Sequence, residues 1–183
     1  MTTRPRAIFL DRDGTLNPDP GYISRPEDFC LFPGVGENLL RLRNAGYLLI
    51  LVTNQSGIAR GLILPQSLCE IHSKLQTELG TVGAGFDRIY VCPHHPDFPR
   101  WGKSECDCRK PASGLVLRAI ADLDIDPARS FVIGDRKSDV RMGLAAGVFP
   151  ILIGRKPEEE IEPGRYHLAS TLESAVDWIL SRN

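Results

Sequence analysis

Short apolar runs alternate with helix-like segments along this chain of 183 residues, and this alternation limits the folds that it can adopt. Five runs are typical of buried strands because they are short, apolar and rich in β-branched or aromatic residues. They cover residues 7–10, 47–53, 86–92, 131–134 and 149–153. Helical spacing is found at residues 34–46, 65–79, 112–123, 138–146 and 171–181. The pattern predicts an α/β fold, with a parallel sheet of about five or six strands and helices on both faces.

The composition is that of an ordinary globular chain. Apolar residues make up 42% and charged residues 25%, and the formal net charge is -1. With no excess of basic residues, we expect no nucleic-acid partner. No apolar run approaches the ~20 residues of a membrane span, and the apolar run near the N-terminus is too short for a signal peptide. We therefore expect a single domain over residues 1–183, monomeric, cytoplasmic and without a membrane partner.

Two aspartates, Asp11 and Asp13, follow the first predicted strand, and Gly14 and Thr15 come next. Such a segment can be a simple turn, because aspartate and glycine both favour turns. However, two carboxylates at a buried strand end raise each other's pKa unless a cation compensates. Phosphoryl transfer uses such a pair: Asp11 would attack phosphorus as the nucleophile, and Asp13 would act as general acid and base.

Polar residues also follow the second and fourth predicted strands, and the carboxyl ends of parallel strands share the edge of the sheet where ligands bind. The Thr53 hydroxyl and nearby N–H groups would hold phosphoryl oxygens. Asp135 is suited to Mg²⁺, while Asp139 is either a further ligand or the N-terminal charge of the next helix. Lys110 is a point charge suited to the phosphoryl group. These residues predict one active site at that edge.

Three of the five cysteines lie close to a histidine pair in the sequence. Two short ligand pairs are separated by eleven residues, and they consist of Cys92, His94, Cys106 and Cys108. Four sulfur and nitrogen ligands are the set that a closed structural zinc site uses. We predict that Zn²⁺ orders the loop at residues 92–108, with His95 as an alternative ligand to His94. The competing interpretation is that these are ordinary thiols near a histidine.

Four segments together resemble the haloacid dehalogenase-like (HAD) phosphatases. In chain order they are Asp11-Arg12-Asp13-Gly14-Thr15, Thr53-Asn54, Lys110, and Gly134-Asp135 with Asp139. The resemblance implies a Rossmann-like fold with a minimal cap, an aspartyl-phosphate intermediate on Asp11, and catalytic Mg²⁺. It implies that Asp11, the backbone carbonyl of Asp13, and Asp135 hold the ion, with Asp139 in direct contact or behind them.

Within that superfamily, the nearly capless branch with a zinc loop is the most similar, and it contains heptose bisphosphate and histidinol phosphate phosphatases. Residues 21–22, 53–61, 92–96 and 106–111 look more like the heptose enzymes. This implies removal of the 7-phosphate of D-glycero-D-manno-heptose 1,7-bisphosphate during the synthesis of ADP- or GDP-heptose for lipopolysaccharide or S-layer glycans. The implied substrate-binding residues are Asp19, Pro20, Gly21, Tyr22, Asn54, Gln55, Ser56, Arg109 and Arg136.

The charges of this set agree with a bisphosphate. Lys110 would serve the reacting phosphate, while Arg109 and Arg136 would hold the distant one. Arg136 stands where we expect lysine in close relatives. Three alternatives remain open: a histidinol-phosphate phosphatase, a polynucleotide 3′-phosphatase, and a non-enzymatic zinc binding module. The last leaves Asp11 and its carboxylate neighbours unexplained.

Overall fold

Six parallel strands form one sheet in the computed structural model, which describes residues 4–99, 105–154, 161 and 164–182. The strands are β1 Arg6–Leu10, β2 Tyr47–Asn54, β3 Arg88–Cys92, β4 Phe131–Gly134, β5 Phe149–Ile153 and β6 His167–Ala169, and their spatial order is β3-β2-β1-β4-β5-β6. The all-parallel pairing confirms the predicted α/β fold. Only β6 was missing from the predicted runs, because three residues are too few to show a period.

Helices cover both faces of this sheet, as predicted. They are α1 Val35–Asn44, α2 Gly57–Arg60, α3 Pro65–Thr81, α4 Gly114–Leu123, α5 Lys137–Ala145 and α6 Leu172–Leu180. Side chains of β1 alternate between the two faces: Ile8 and Leu10 pack with α1, α3 and α6, whereas Ala7 and Phe9 pack with α4 and α5. This alternation explains why the run is apolar throughout, since neither face of the strand meets solvent.

The helix predicted from residue 112 begins two residues later, at Gly114. The Gly114 N–H donates a 2.8 Å hydrogen bond to the carbonyl oxygen of Asp107, so the chain turns back before the helix starts. A Cβ atom at this position would lie 2.4 Å from that oxygen. Glycine is therefore required here by a close approach of two backbone segments, which a periodicity argument does not detect.

The strand ends meet at one edge of the sheet, as their parallel direction requires. Leu10 pairs with Leu51 on one side and with Ile133 on the other, and the Asp11 N–H donates to the Ile133 carbonyl at 3.0 Å. The β1–α1 connection, which is described throughout, carries only a short 3-10 turn, Pro26–Asp28, so this connection supplies no large cap over the edge. Among the described residues, no helix is both long and apolar enough to cross a bilayer. The single-domain organisation over residues 1–183 stays a prediction.

Candidate active site

A buried lysine joins two carboxylates at this edge. The Lys110 Nζ lies 2.6 Å from Asp11 Oδ1 and 2.7 Å from Asp139 Oδ1, and all three side chains are more than nine-tenths buried. The same ammonium donates to the Val52 carbonyl at 3.3 Å. Its carboxylate neighbours raise the pKa of Lys110 above its usual value despite the burial. The lysine is therefore a fixed positive charge beside the predicted nucleophile.

A third carboxylate completes the group. Oxygen atoms of Asp11, Asp135 and Asp139 lie within 4.8 Å of one another. Burial raises the pKa of Asp11 to about 7 and Asp139 adds to the effect, while Lys110 opposes it. Burial and the charge of Asp139 also raise the pKa of Asp135. Three clustered carboxylates beside one lysine leave an excess of negative charge, so this oxygen donor set fits a hard divalent cation such as Mg²⁺.

Two glycines make the approach of these carboxylates possible. A Cβ on Gly14 would lie 2.3 Å from Asp135 Oδ2, and Gly14 has a φ of 86°, which is the left-handed region. A Cβ on Gly134 would lie 2.4 Å from the Asp139 carboxyl carbon. Asp139 also accepts the Arg136 N–H at 3.1 Å, which caps α5. Its two predicted roles, helix capping and membership of the acidic group, are therefore compatible.

Asp13 is held by several donors at once. Arg12 contacts both carboxylate oxygens, at 3.0 and 2.9 Å, and Asn17 and Gln55 donate at 2.9 and 2.8 Å. These interactions lower the pKa of Asp13 although burial opposes them. In this arrangement Asp13 is ionised and suited to accept a proton. Its predicted role as an acid requires that some of these donors be lost.

Arg12 itself was not identified from the sequence, although it lies between the two aspartates. Its exposure is 1%, and its Nη1 donates to His72 Nε2 at 3.2 Å. Burial and the adjacent guanidinium lower the pKa of His72 to about 4. His72 is therefore neutral near pH 7 and accepts from Arg12, which in turn orients Asp13.

A cavity of about 290 Å³ opens above the aspartates. Its lining contains most of the predicted substrate residues together with three of the predicted catalytic residues, namely Asp11, Asp13, Asp19, Gly21, Tyr22, Asn54, Gln55, Ser56, Arg109, Lys110 and Arg136. It also contains His95 and Ser138, which were not predicted there. Within the described part of the chain, the cavity lining does not include Thr53 or Pro20. The Thr53 hydroxyl accepts a 2.9 Å hydrogen bond from Gln55, and Thr53 is only 1% exposed.

Asn54 holds the backbone of Lys110. Its Oδ1 accepts the Lys110 N–H at 3.1 Å, and its Nδ2 donates to the Lys110 carbonyl at 3.3 Å. Both ends of the amide are thus engaged with one residue of a neighbouring loop. The geometry favours a positioning role for Asn54, whereas the sequence indicated direct contact with substrate.

The two arginines predicted to bind the distant anion both face the cavity but are already partnered. Arg136 forms an ion pair with Asp19, which lines the same cavity. Arg109 donates to the His94 carbonyl at 3.1 Å. That hydrogen bond connects the substrate cavity directly to the cysteine-containing loop.

The four predicted zinc ligands converge on one point. Cys92 Sγ lies 3.7 Å from Cys106 Sγ and 3.2 Å from Cys108 Sγ, and His94 Nδ1 lies 3.2 Å from Cys108 Sγ. In tetrahedral zinc sites such ligand atoms are about 3.8 Å apart, so the donor set and spacing fit Zn²⁺. The loop interior at residues 100–104 lies outside the described residues.

The structure separates the two adjacent histidines. His94 belongs to the cysteine cluster, whereas His95 lines the catalytic cavity. The His95 Nδ1 accepts the Asp97 N–H at 3.2 Å. His94 is thus the histidine placed to bind zinc, whereas His95 is placed in the cavity lining.

Comparison with known proteins places this geometry in a family. Residues 107–175 match the family model for HAD-hydrolase-like proteins. D-glycero-β-D-manno-heptose-1,7-bisphosphate 7-phosphatase of Haemophilus ducreyi is 42% identical over 95% of this chain and 96% of its own length. The corresponding Haemophilus influenzae protein is 41% identical over 94% of each chain. The chain belongs to this phosphatase family.

Solved structures agree with the family assignment. The crystal structure of D,D-heptose 1,7-bisphosphate phosphatase from B. bronchiseptica, complexed with magnesium and phosphate, has a TM-score of 0.84 and 30% sequence identity. The match covers 97% of this chain and 99% of that one. This agreement confirms the predicted HAD fold and the prediction of a heptose bisphosphate phosphatase relative.

The buried His72 predicts a pH dependence of stability in this family member. Because its pKa is about 4 in the folded chain and 6.5 when unperturbed, the unfolded chain binds the proton first as the pH falls. The contribution of neutral His72 to the free energy of unfolding is therefore fully present above about pH 6.5 and declines towards pH 4. We expect a loss of about 2 kcal/mol between about pH 7 and pH 5. The variant His72→Gln keeps a hydrogen-bond acceptor but does not titrate. Its free energy of unfolding, measured with denaturant, should therefore fall by about 2 kcal/mol less than that of the unaltered chain between about pH 7 and pH 5. An equal fall in the two proteins would contradict the lowered pKa of His72.

Zinc content should distinguish the two histidines. We expect about one zinc per chain in the unaltered protein and loss of that zinc in His94→Ala, because three remaining ligands leave the site open. His95→Ala is the matched control and should keep its zinc. Elemental analysis of the purified proteins measures this, and zinc loss in His95→Ala alone would reverse the assignment.

Asn54→Ala should lower kcat by about tenfold, because the Lys110 backbone loses two hydrogen bonds of about 1 kcal/mol each and the ammonium shifts. Magnesium-dependent hydrolysis of p-nitrophenyl phosphate measures this effect. Asn44→Ala, at the exposed end of α1, serves as the control and should leave kcat unchanged. A higher KM with an unaltered kcat would instead indicate that Asn54 contacts substrate directly.

Proposed function

We propose that this chain removes the 7-phosphate of D-glycero-β-D-manno-heptose 1,7-bisphosphate. The observation that carries the proposal is the position of Asp11, paired with buried Lys110 in a cavity whose walls also present two guanidinium groups. The β anomer is the one named for the Haemophilus ducreyi relative. Membership of this family favours the bisphosphate over histidinol phosphate.

The proposed reaction proceeds in two displacements. The ionised carboxylate of Asp11 attacks the 7-phosphorus, a P–O bond to Asp11 forms, and the bond from phosphorus to the sugar oxygen breaks. Lys110 is placed to orient the Asp11 oxygen and to stabilise the phosphoryl charge. Asp13, once protonated, gives its proton to the leaving sugar oxygen. Asp13 then accepts a proton from water as that water attacks phosphorus, which releases phosphate and restores Asp11.

The carboxylate group is also the proposed magnesium site. Asp11, the Asp13 backbone carbonyl and Asp135 would hold Mg²⁺, with Asp139 tied to Lys110 behind them. Magnesium supplies positive charge that neutralises phosphoryl oxygens and favours the ionised form of Asp11. This chain's contribution is to keep these oxygen atoms close together, which Gly14 and Gly134 permit.

Charge on the cavity wall supports a substrate with two anionic ends. Arg109 and Arg136 lie on the same cavity as Lys110, so one phosphate at Asp11 leaves two guanidinium groups for the other. Histidinol phosphate would instead bring a cationic end towards these arginines. A polynucleotide is disfavoured because the net charge of -1 provides no overall attraction for a phosphate backbone.

The cysteine cluster has a proposed structural role. Zn²⁺ held by Cys92, His94, Cys106 and Cys108 would fix the end of the loop at Cys108, which directly precedes Arg109 and Lys110. Ordering this loop would therefore position both phosphate-binding cations. We also keep the monomeric state and the cytoplasmic location as predictions.

A substrate panel tests the function. We expect kcat/KM with Mg²⁺ to be at least about a hundredfold higher for the β heptose bisphosphate than for histidinol phosphate, since the two guanidinium groups attract a second phosphate and repel a cationic end. The panel should include the α anomer and a 3′-phosphorylated oligonucleotide. Faster hydrolysis of histidinol phosphate or of the oligonucleotide would overturn the proposal.

Arg109→Ala gives an independent check on the second anionic site. We expect it to reduce kcat/KM for the bisphosphate by about a hundredfold, because a charge-assisted contact of about 3 kcal/mol is lost. The loss for histidinol phosphate should be much smaller. Arg118→Ala, an exposed arginine on α4, is the matched control. Equal losses on the two substrates would contradict a role in binding the distant phosphate.

A further inference from the structure

Arg60 links two loops that contribute residues to the cavity around Asp11, although it does not line the cavity itself. It is the last residue of α2, and its Nη1 donates a 2.6 Å hydrogen bond to the Tyr22 hydroxyl. Its guanidinium carbon lies 4.8 Å from the centre of the Phe98 ring and 5.7 Å from that of Tyr22. One exposed cation thus contacts the segment after β1 and the loop after β3.

Each aromatic partner of Arg60 either lines the cavity or packs on a residue that lines it. Tyr22 is a lining residue, and its Cδ1 packs so closely on α2 that a Cβ at Gly57 would lie 2.9 Å away. Phe98 packs edge-on against the ring of His95 at 5.2 Å, and His95 is also a lining residue. Arg60 therefore contacts one lining residue, Tyr22, directly and a second, His95, through the ring of Phe98.

The cysteine cluster and Arg60 hold different parts of the same loop. Cys92 and His94 anchor its beginning at the metal-ligand group, whereas Phe98 lies four residues further on, beyond that anchor. Among the described residues, Arg60 makes no ion pair with a carboxylate, so its contacts with Tyr22 and Phe98 are the ones that orient it. A planar guanidinium suits this position because it can stack on a ring while donating a hydrogen bond at its edge.

We propose that Arg60 is a positioning residue for substrate specificity, which clasps Tyr22 and Phe98 and so holds the Tyr22 and His95 walls at the width that the bound sugar bisphosphate needs. The inference rests on the proposed function for its substrate. In this proposal Arg60 does not contact the reacting phosphate. The clasp acts on the part of the substrate remote from Asp11.

A comparison of two substrates tests the clasp. Arg60→Met should raise KM for the heptose bisphosphate by about tenfold with little change in kcat, because the remote end of the sugar loses its fitted walls. Hydrolysis of p-nitrophenyl phosphate, which has no remote phosphate, should stay within about twofold. Arg60→Lys should resemble Arg60→Met, since an ammonium cannot stack and donate in the same way.

A double-mutant cycle with Phe98→Leu identifies the contact. If Arg60 acts on the His95 wall through Phe98, the double variant should be no worse than Arg60→Met alone, whereas independent effects would multiply. Arg118→Met provides the control for loss of an exposed positive charge. Multiplying effects, equal losses on both substrates, or an unchanged KM in Arg60→Met would each overturn the proposal.

Chymotryptic cleavage after Tyr22, which is 40% exposed and followed by Ile23, reports on the clasp without any substrate. Arg60→Met should be cut there several-fold faster than the unaltered chain at the same thermal unfolding midpoint. If the unaltered chain fails to prefer heptose bisphosphate but the variant is cut faster, the proposed substrate is wrong while the clasp exists. An unchanged cleavage rate together with an unchanged KM means that the clasp itself is wrong.

Discussion

The double ion pair of Lys110 with Asp11 and Asp139 is the interaction on which the site depends. These three charged groups are removed from water, and such burial is costly unless each charge is paired. One ammonium at 2.6 and 2.7 Å compensates two carboxylates that belong to different segments, one after β1 and one on α5. Removing the lysine would leave two buried carboxylates facing each other, a loss of about 3–5 kcal/mol by analogy with broken buried pairs.

Several features of the chain serve to place that lysine. Asn54 binds both sides of its peptide, and the cluster ending at Cys108 lies two residues before it. The charge that remains after this pairing is still negative, which is why the same group of oxygens suits a divalent cation. Arg12 makes a parallel arrangement for Asp13, with neutral His72 behind it. The proposed nucleophile and the proposed proton carrier thus have opposite surroundings: burial raises the pKa of Asp11, and hydrogen bonds lower that of Asp13.

Much of this arrangement could be predicted from the sequence because it follows from the direction of parallel strands. Asp11 and Asp135 both directly follow apolar runs, so their meeting at one edge requires only the sheet. The ligand spacing also predicted the cysteine cluster around Cys92. The choice between His94 and His95 needed the actual turn of the chain, since both residues offer the same ligand atoms.

The contacts that the sequence did not reveal involve residues whose type is ambiguous. Arginine is usually a surface residue, and only the structure shows that Arg12 is 1% exposed and bound to Asp13. The Asn54 amide can form hydrogen bonds equally well with a substrate or with the protein backbone. Arg60 is exposed, and its importance arises from two aromatic rings that are distant in sequence. Such roles depend on long-range packing, which leaves no period or short spacing in the chain.

Asp11, held by Lys110, is the residue proposed to carry the phosphoryl group during turnover. The direct measurement is mass spectrometry of peptides from enzyme quenched in acid during the first turnover with heptose bisphosphate and Mg²⁺. We expect a phosphoryl group on Asp11, absent from Asp11→Asn, together with loss of turnover in that variant. A phosphoryl group on another residue, or undiminished turnover by Asp11→Asn, would contradict it.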